Sequence, residues 1–450
     1  MTTYTFPPGP KPKPIVGNIF DFRKDPLAFI TGLQRRYGKA ATFYLAKTPM
    51  VLMSTPEAVR YVLVEHAKNF TMREFAQSLR LLLGDGLLTI DGDFHRQQRR
   101  LMLPAFHRKR VESYRNVMVD YTESMLQEWQ AGQQLDMSKE MQTLTLRIVG
   151  KALFDVDLTQ ESKELGDAFD HAREYSNRRR FSLRAWRINL PFMPYGKFVR
   201  AKALLDKTVY DIIARRRATG EDTGDVISML LAARDEDGTE LTDVQVRDET
   251  MTLLAAGHET TANVLTWAFY LLSQHEQERD KLISELRSVL GGRAPTVEDL
   301  ASLPYLEMVV KETMRLYPPA WMLGRFAVGD YELEGYHLPA GSVVVIPPWV
   351  FHRMPEYFAE PDRFWPERFD PEMGEKQQPF TYFPFGAGSR MCIGSTFALM
   401  GARLLLATIL QHFSPLLVPG HPVVTQPMVT LRTKFGMQMV LEPTRNPVLA

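Results

Sequence analysis

The group best suited to chemistry is the thiol of Cys392, the single cysteine of the chain. The residues from Phe383 to Gly394 read FPFGAGSRMCIG, and an almost wholly apolar run follows them to Phe413. Glycines at this density permit tight turns. A thiol just before a helix N-terminus faces partial positive charge, which favours a thiolate able to bind a metal ion. By residue type alone, a lone cysteine is more often a small buried apolar side chain.

A second group of polar residues interrupts the apolar stretch 251–272. The stretch has the length of a membrane helix, but His258 and Glu259 near its middle are costly in a bilayer. We therefore expect a buried helix of a globular protein. The hydroxyl of Thr260 can bond back to the carbonyl of Ala256, and the glycine between them lets the turn widen and admit water or dioxygen. The alternative is a polar stripe that reaches solvent.

Charged residues also stand at helical spacing elsewhere in the chain. Glu312 and Arg315 share an apolar helix face and need partners there, and Arg368 offers a third charge. His95 and Arg99 are four residues apart and face one way on a helix. For each of these groups the alternative is an ordinary surface charge or ion pair that contributes little to stability.

The pattern of apolar residues and turns predicts a mainly α-helical fold with small β-sheets. An early hairpin is expected at 41–53, and a capping box of Thr242 and Gln245 begins the long apolar helix. Short strands are expected at 331–346 and 423–441. Helical spacing marks four further segments, at 56–66, 108–130, 136–154 and 201–218.

Composition narrows the class of protein. No repeat or long linker divides the sequence, so residues 1–450 are expected to form one domain with a proline-rich lead at 1–14. The 54 basic and 53 acidic side chains give a net charge of +1, so no overall field favours nucleic acid. One cysteine cannot form an internal disulfide, and no secretory signal or membrane anchor is recognisable. We expect a cytoplasmic monomer.

The cysteine segment resembles the haem-binding loop of the cytochrome P450 family at six signature positions, and the similarity extends over nearly the whole chain. The resemblance implies the cytochrome P450 fold, with haem b between the long distal helix and the helix that follows the cysteine loop. Cys392 would be the axial ligand of the haem iron, and its thiolate would favour cleavage of the O–O bond. Covalent attachment of haem is excluded because a second cysteine is lacking. The signature positions are Phe385, Gly386, Gly388, Arg390, Cys392 and Gly394.

The resemblance also assigns roles to the polar groups described above. Thr260 would hydrogen-bond the oxygen under activation, and Glu259 would pass protons to it from bulk water. Cations would hold the two haem propionates, although many family members have tryptophan where this chain has His95. The propionate set is His95, Arg99, Arg325 and Arg390, and the structural support of the cysteine loop is Glu312, Arg315 and Arg368.

By analogy with the family, a largely apolar pocket lies above the haem. We expect an apolar substrate such as a fatty acid, a terpenoid or a steroid-like molecule. Lys47 or an arginine among Arg178 to Arg180 would attract a carboxylate, but a solvated basic face is the more common arrangement. The expected pocket residues are Phe75, Leu82, Leu83, Ala255, Ala256, Trp321, Met322 and Leu323.

Electrons have to come from a separate protein, because the sequence holds no flavin, nicotinamide or iron–sulfur motif. NAD(P)H would act only indirectly, through a ferredoxin or flavodoxin and its reductase. A basic cluster near the cysteine loop offers a docking surface for such an acidic partner. Its members are Arg96, Arg99, Arg100, His107, Arg108, Lys109 and Arg110.

The predicted function is therefore a haem-thiolate monooxygenase, which inserts one oxygen atom of dioxygen into its substrate. A peroxide-driven peroxygenase is an alternative, but Glu259 and Thr260 argue against it because such enzymes commonly lack this pair. A haem-based ligand sensor without turnover is a third candidate. The sequence carries no signalling output domain, and a proton relay would be superfluous in a sensor.

Overall fold

The computed structural model describes residues 4–72, 76–179, 190–220, 225–234, 238 and 240–444. Within these residues the chain is mainly α-helical with small β-sheets, as predicted. The helices are α1 (Ile19–Lys24), α2 (Pro26–Tyr37), α3 (Pro56–Arg60), α4 (Arg80–Leu83), α5 (Gly92–Met102), α6 (Arg108–Ser113), α7 (Arg115–Gln127), α8 (Met137–Phe154), α9 (Ser162–Arg179), α10 (Pro194–Thr219), α11 (Val226–Ala232), α12 (Asp243–Gln274), α13 (Glu276–Leu290), α14 (Pro304–Leu316), α15 (Pro348–Phe351) and α16 (Ser395–His412).

The strands form one five-stranded sheet and three smaller sheets. The large sheet has the order β1-β2-β8-β5-β3, in which only the β2–β8 pair is parallel. The smaller sheets pair β6 with β7, β10 with β11, and β12 with both β4 and β9. The strands are β1 (Ala40–Leu45), β2 (Thr48–Met53), β3 (Phe70–Thr71), β4 (Gln134–Asp136), β5 (Leu323–Ala327), β6 (Tyr331–Leu333), β7 (Tyr336–Leu338), β8 (Val343–Ile346), β9 (Phe413–Leu417), β10 (Thr425–Pro427), β11 (Leu431–Thr433) and β12 (Gln438–Pro443).

Helix α12 runs through the middle of the helical core. Its start is fixed by the predicted capping box, in which the Thr242 hydroxyl accepts from the Gln245 backbone N–H and the Gln245 side chain accepts from that of Thr242. Its 32 residues span about 48 Å. Most of its side chains are buried, because α8, α10, α14 and α16 all pack against it. Among the described helices, none is long and apolar enough to cross a membrane.

Helix α16 begins at Ser395, immediately after the cysteine loop. Its side chains are largely buried, and it packs against α7, α12 and α14. Helix α16 contacts α12, the helix that holds the polar turn. The cysteine loop and the polar turn, more than a hundred residues apart in sequence, are thus attached to two helices that pack together.

Two predicted helices differ from the observed ones in detail. The segment 108–130 is divided into α6 and α7 at Tyr114, whose buried ring meets Phe397 edge to face. That tertiary contact overrides the continuous helical spacing. The segment 56–66 begins as α3 and continues as a π-helical turn, Tyr61–Glu65, on which the cysteine loop is seated.

Candidate active site

The loop before α16 is closed by its own backbone. The backbone N–H of Cys392 donates to the carbonyl of Phe385 at 2.9 Å, and that of Gly386 donates to Phe383 at 2.9 Å. Gly386 and Gly388 have φ angles of +73° and +70°, which side chains rarely tolerate. The loop therefore presents the cysteine at a fixed position just before the helix.

Gly388 also allows close packing beneath the loop. A Cβ atom added there would lie 1.8 Å from the carbonyl oxygen of Leu63, in the π-helical turn. The loop is thus held between this turn on one side and α16 on the other. Glycine at this position is required by both φ and the approach of two backbones.

The thiol of Cys392 is accessible to solvent, yet burial raises its pKa. Both observations fit a group that faces an internal cavity and not the outer surface. The backbone N–H of Gly394 and the Arg99 guanidinium act in the opposite direction on the pKa. The backbone N–H at the start of the helix thus favours the thiolate, as expected, but burial outweighs it and the net shift of the pKa is upward. A bound metal cation would reverse the balance, since coordination deprotonates a thiol.

A group of nitrogen-rich side chains lies beside the cysteine. Burial, together with the charges of Arg390 and Arg99, lowers the pKa of His95 to about 4, so its imidazole is neutral at neutral pH. Arg325 is buried, which lowers its pKa to about 10, and its Nη1 donates to the Met72 sulfur and the Gly324 carbonyl at 2.9 Å. The four residues predicted to hold the propionates are thus brought together.

Positive charge is in excess at this group. Arg390 is paired with Asp91 and also donates to the Ile90 carbonyl. Among the described side chains that shift the pKa of His95 and Arg325, Asp91 is the one carboxylate. Three guanidinium groups around one carboxylate match a ligand that carries two carboxylates of its own. This donor set fits the propionates of a haem.

On α12 the Thr260 hydroxyl donates to the carbonyl of Ala256 at 2.9 Å, as the sequence predicted. Ala256 is exposed although the helix around it is buried, so this turn faces a cavity. Glu259 is buried, and its Oε1 accepts from the Thr430 hydroxyl at 2.6 Å. The Asn263 amide in turn donates to Thr430 at 3.1 Å. The carboxylate is therefore held in place by a short hydrogen-bonded chain.

His258 lies on another face of α12. Its Nδ1 is 2.7 Å from the carbonyl of Leu254, and its ring packs against Phe169 on α9. The backbone carbonyl of His258 accepts from Thr145 on α8 at 2.9 Å. These contacts tie α12 to the helices on the side away from α16.

The predicted pocket residues fall into two groups. Ala255, Met322 and Leu323 are partly buried, and Ala256 is exposed. In contrast, Leu82, Leu83 and Trp321 are buried in the apolar cores, where the Trp321 indole N–H donates to the Met428 carbonyl. Phe75 and the side chains of Arg178 to Arg180 lie outside the part of the chain that the structure describes.

The predicted ion pair on α14 is present and fully buried. Arg315 donates to both carboxylate oxygens of Glu312, at 2.7 and 2.8 Å, and Arg368 donates to Glu312 at 3.1 Å. Arg368 also donates to Glu375 at 2.9 Å. The remaining guanidinium donors bind backbone carbonyls between 352 and 363. Buried charges of this kind are stable only when their hydrogen bonds are met.

A chain of contacts leads from this network to the cysteine loop. Arg315 donates to the backbone carbonyl of His352 at 2.6 Å, and the His352 Nε2 accepts from the backbone N–H of Phe383 at 3.2 Å. Burial and the charge of Arg315 hold the pKa of His352 well below its usual range, so the ring is neutral and able to accept. The network thereby positions the first residue of the loop.

The sequence model of the cytochrome P450 family, described as "Cytochrome P450", matches residues 7–439. The chain belongs to the cytochrome P450 family. The P450 is accordingly an oxidoreductase of the monooxygenase type, and haem iron and dioxygen are the cofactor and co-substrate that the family implies.

Similar proteins from Streptomyces support this placement. The P450 is 36% identical to "Cyclooctatin synthase" of Streptomyces melanosporofaciens over 96% of this chain and 94% of that one. It is 34% identical to "Cyclooctat-9-en-7-ol 5-monooxygenase" of the same organism, over 90% and 89%. It is 33% identical to "Pentalenene oxygenase" of Streptomyces avermitilis, over 94% of both chains.

Solved structures share the fold. A retinoic acid-bound cyanobacterial CYP120A1 superimposes with a TM-score of 0.88 at 28% identity, covering 98% of the P450 and 100% of that chain. The haem domain of cytochrome P450DA also gives 0.88, at 24% identity, over 99% of both chains. The fold class predicted from the sequence is thus confirmed.

Several residues at this site were missed from the sequence. Asp91 and Thr430 are ordinary polar residues in loops, and each acts on a partner about 170 to 300 positions away. Asn263 lies one turn beyond Glu259, so its helical spacing from the acid was a usable signal. For His352 there was no such signal in the sequence, because its partner is the backbone N–H of Phe383, which no side-chain pattern reveals.

Replacing Arg368 with alanine is expected to lower the free energy of unfolding by about 3 kcal/mol, because Glu312 and Glu375 each lose a buried charged donor. The control is Arg363→Ala, which removes an exposed arginine paired with Glu360 and is expected to cost less than about 1 kcal/mol. Denaturant unfolding of both variants measures the difference. Equal losses would show that the network adds no more than a surface pair.

Proposed function

We propose that this P450 inserts one oxygen atom of dioxygen into an apolar, terpenoid-like substrate. The supporting observation is the arrangement of two segments. The Cys392 loop leads into α16, α16 packs against α12, and α12 carries the Glu259–Thr260 turn, which faces a cavity at Ala256. A thiol ligand together with a buried acid and alcohol is the set of groups that oxygen activation requires.

The haem would be held by groups already described. Cys392 would bind the iron, and Arg99, Arg325, Arg390 and the neutral His95 would bind the propionates. The signature residues Phe385, Gly386 and Gly394 shape the loop around the thiol. When bound, haem supplies the iron at which dioxygen is activated, with electron density from the thiolate.

The polar groups of α12 can hold and move protons. Because the Thr260 hydroxyl donates its hydrogen to Ala256, its oxygen lone pairs remain able to accept a hydrogen bond from a group in the cavity. Glu259, held by Thr430, is buried one residue away and is suited to take up and release a proton. We propose that Glu259 delivers protons to the site and that Thr260 positions the group receiving them.

The substrate class rests on the relatives and the pocket. The names of three relatives specify cyclooctatin, cyclooctat-9-en-7-ol and pentalenene, and we propose a terpenoid-like substrate for this chain on that basis. Among the described residues that were predicted to line the pocket, those with accessible surface are Ala255, Ala256, Met322 and Leu323, all apolar. An apolar wall binds a hydrocarbon skeleton by removing it from water and excludes charged molecules.

A separate ferredoxin or flavodoxin would donate the electrons. Helix α5 presents Arg96 and Arg100 outward and turns Arg99 inward, so Arg99 belongs to the cation group and not to the docking surface. Exposed Arg108 and Lys109 at the start of α6 extend the basic surface. An acidic electron carrier fits this charge.

Exposed apolar residues lie on or beside this basic surface. Leu103 is 53% exposed, and Met391, directly before Cys392, is 45% exposed. Apolar contacts within a charged rim are typical of protein interfaces. Because Met391 directly precedes Cys392 in the sequence, a carrier that contacts Met391 would dock close to the haem.

Replacing Glu259 with glutamine is expected to lower product formation by about a hundredfold. Glutamine still accepts from Thr430 but cannot carry a proton. Thr260→Ala should instead keep electron consumption while product per NADH falls, because oxygen is reduced without substrate oxidation. The control is Thr261→Ala, next to the pair but without an assigned role. If the Thr260→Ala variant formed as much product per NADH as the original protein, the proposed role of Thr260 in proton delivery would be wrong.

Reversing two charges, Arg108→Glu with Lys109→Glu, is expected to slow reduction by an acidic ferredoxin about tenfold at low salt. The difference should shrink as salt screens the charges. The matched control reverses Arg35 and Arg36, two exposed arginines of α2. Stopped-flow reduction measures the rates, and equal slowing in both double variants would rule out this docking surface.

A further inference from the structure

Three consecutive residues near the start of α12 bind one loop. Arg247 donates to the backbone carbonyl of Leu82 at 2.7 Å. The Asp248 carboxylate accepts from the backbone N–H of Asp85 at 2.7 Å, and the Glu249 carboxyl accepts from that of Leu87 at 2.9 Å. Each residue of this clamp, which we define as Arg247, Asp248 and Glu249, therefore fixes a different point of the loop 82–87.

Arg247 also connects α12 to helix α10. Its Nε donates to Asp206 on α10 at 2.9 Å, and its Nη1 donates to Asp248 at 2.8 Å. Arg247 is almost fully buried, with 4% of its side chain exposed. A buried guanidinium with its donors met is held rigidly, because breaking any of these contacts leaves an unpaired charge. The loop, α10 and α12 are thus joined at one residue.

The loop backbone lies directly on the helix. A Cβ atom added at Gly86 would be 2.1 Å from the Thr252 hydroxyl and 2.6 Å from the carbonyl of Asp248. One added at Gly84 would be 2.2 Å from the Asp248 carboxylate. Any side chain at these positions would push the loop off α12. Glycine here is required by close approach.

Of the three clamp residues, Glu249 stands on the same face of α12 as the candidate active site. Residues 249, 252, 256 and 260 are spaced three or four apart, which aligns them along one face of a helix. Glu249 precedes Ala256 by seven residues, or about 10 Å along the axis. Loop 82–87, bound at Glu249 and lying close to Thr252, is therefore within about two helical turns of Ala256 on the same face of α12.

We infer that Arg247, Asp248 and Glu249 hold the loop 82–87 as a wall of the substrate pocket and so set the size of ligand that the pocket retains. They are positioning residues, because they act through the loop. This inference rests on the proposed location of the pocket. A loop that leaves α12 would open the wall, and a bulky ligand would then bind only to the fraction of molecules with the loop closed.

Substitutions of Glu249 can test the hydrogen bond to Leu87 by itself. Burial raises its pKa to about 8, so the carboxyl is largely neutral at neutral pH, and its Oε1 has no hydrogen-bond partner among the described residues. Glutamine matches this neutral group and can accept from Leu87 in the same way. Alanine cannot. The pair Glu249→Gln and Glu249→Ala therefore separates the hydrogen bond from the general effect of substitution.

The test uses the haem-loaded protein and two azoles that bind haem iron, imidazole and the larger 4-phenylimidazole. Hydrogen–deuterium exchange reports the protection of residues 82–91, and optical titration gives the dissociation constant of each azole. The variants are Glu249→Ala, Glu249→Gln and Gly86→Ala. Gly166→Ala is the control, because a Cβ atom added there meets nothing within 4 Å.

Glu249→Ala and Gly86→Ala are expected to raise exchange at 82–91 and to weaken 4-phenylimidazole at least about tenfold, with imidazole changed less than about twofold. Glu249→Gln and Gly166→Ala should match the original protein. An unchanged loop, or equal weakening of both azoles, would overturn the inference. If Glu249→Ala does not fold, Gly86→Ala decides alone. Hydrogen–deuterium exchange and azole binding need no oxygen, electrons or terpenoid. The proposed monooxygenase function is tested separately, by measuring product formation.

Discussion

The carboxylate of Glu312 is the contact on which the site most depends. It accepts from Arg315, from Arg368 and from the backbone N–H of Trp365, all in the dry interior. Because unpaired charges there are very costly, the whole set forms together or not at all. The same guanidinium of Arg315 binds the carbonyl of His352, whose ring holds the first residue of the cysteine loop. The ion pairs of Glu312 thus help to fix the position of the loop that carries the Cys392 thiol.

Helix α12 is the second constraint. It has to be apolar enough to lie in the core, yet it carries the three charged residues of the clamp near its start and the acid–alcohol pair, Glu259 and Thr260, near its middle. Each of these polar groups has a hydrogen-bond partner close to it in space. Thr260 bonds to its own helix, Glu259 bonds to Thr430, and Arg247 bonds to Asp206 and Asp248. The same helix therefore carries both the charged residues that bind its neighbours and, further along, the acid–alcohol pair Glu259 and Thr260.

Local patterns were readable in the sequence and distant contacts were not. The capping box of α12, the bond from Thr260 to Ala256 and the pair of Glu312 with Arg315 all follow from spacings of three or four residues. The roles of Thr430 and Asp91 depend on partners far along the chain. For Cys392, the effect of the backbone N–H at the helix start on the pKa had the expected sign, but the larger opposing effect of burial could not be read from the sequence. The fold class and the cysteine loop were predicted because several local signals agreed with one family.

We expect the Cys392 thiolate to bind haem iron, and the optical spectrum of the reduced protein with carbon monoxide can show whether it does. The position of the main band depends on the protein ligand of the iron. Thiolate ligation should shift this band strongly to the red, and replacing Cys392 with histidine should abolish the shift. A band at the position of imidazole or neutral thiol ligation in the original, folded protein would rule out the thiolate ligand.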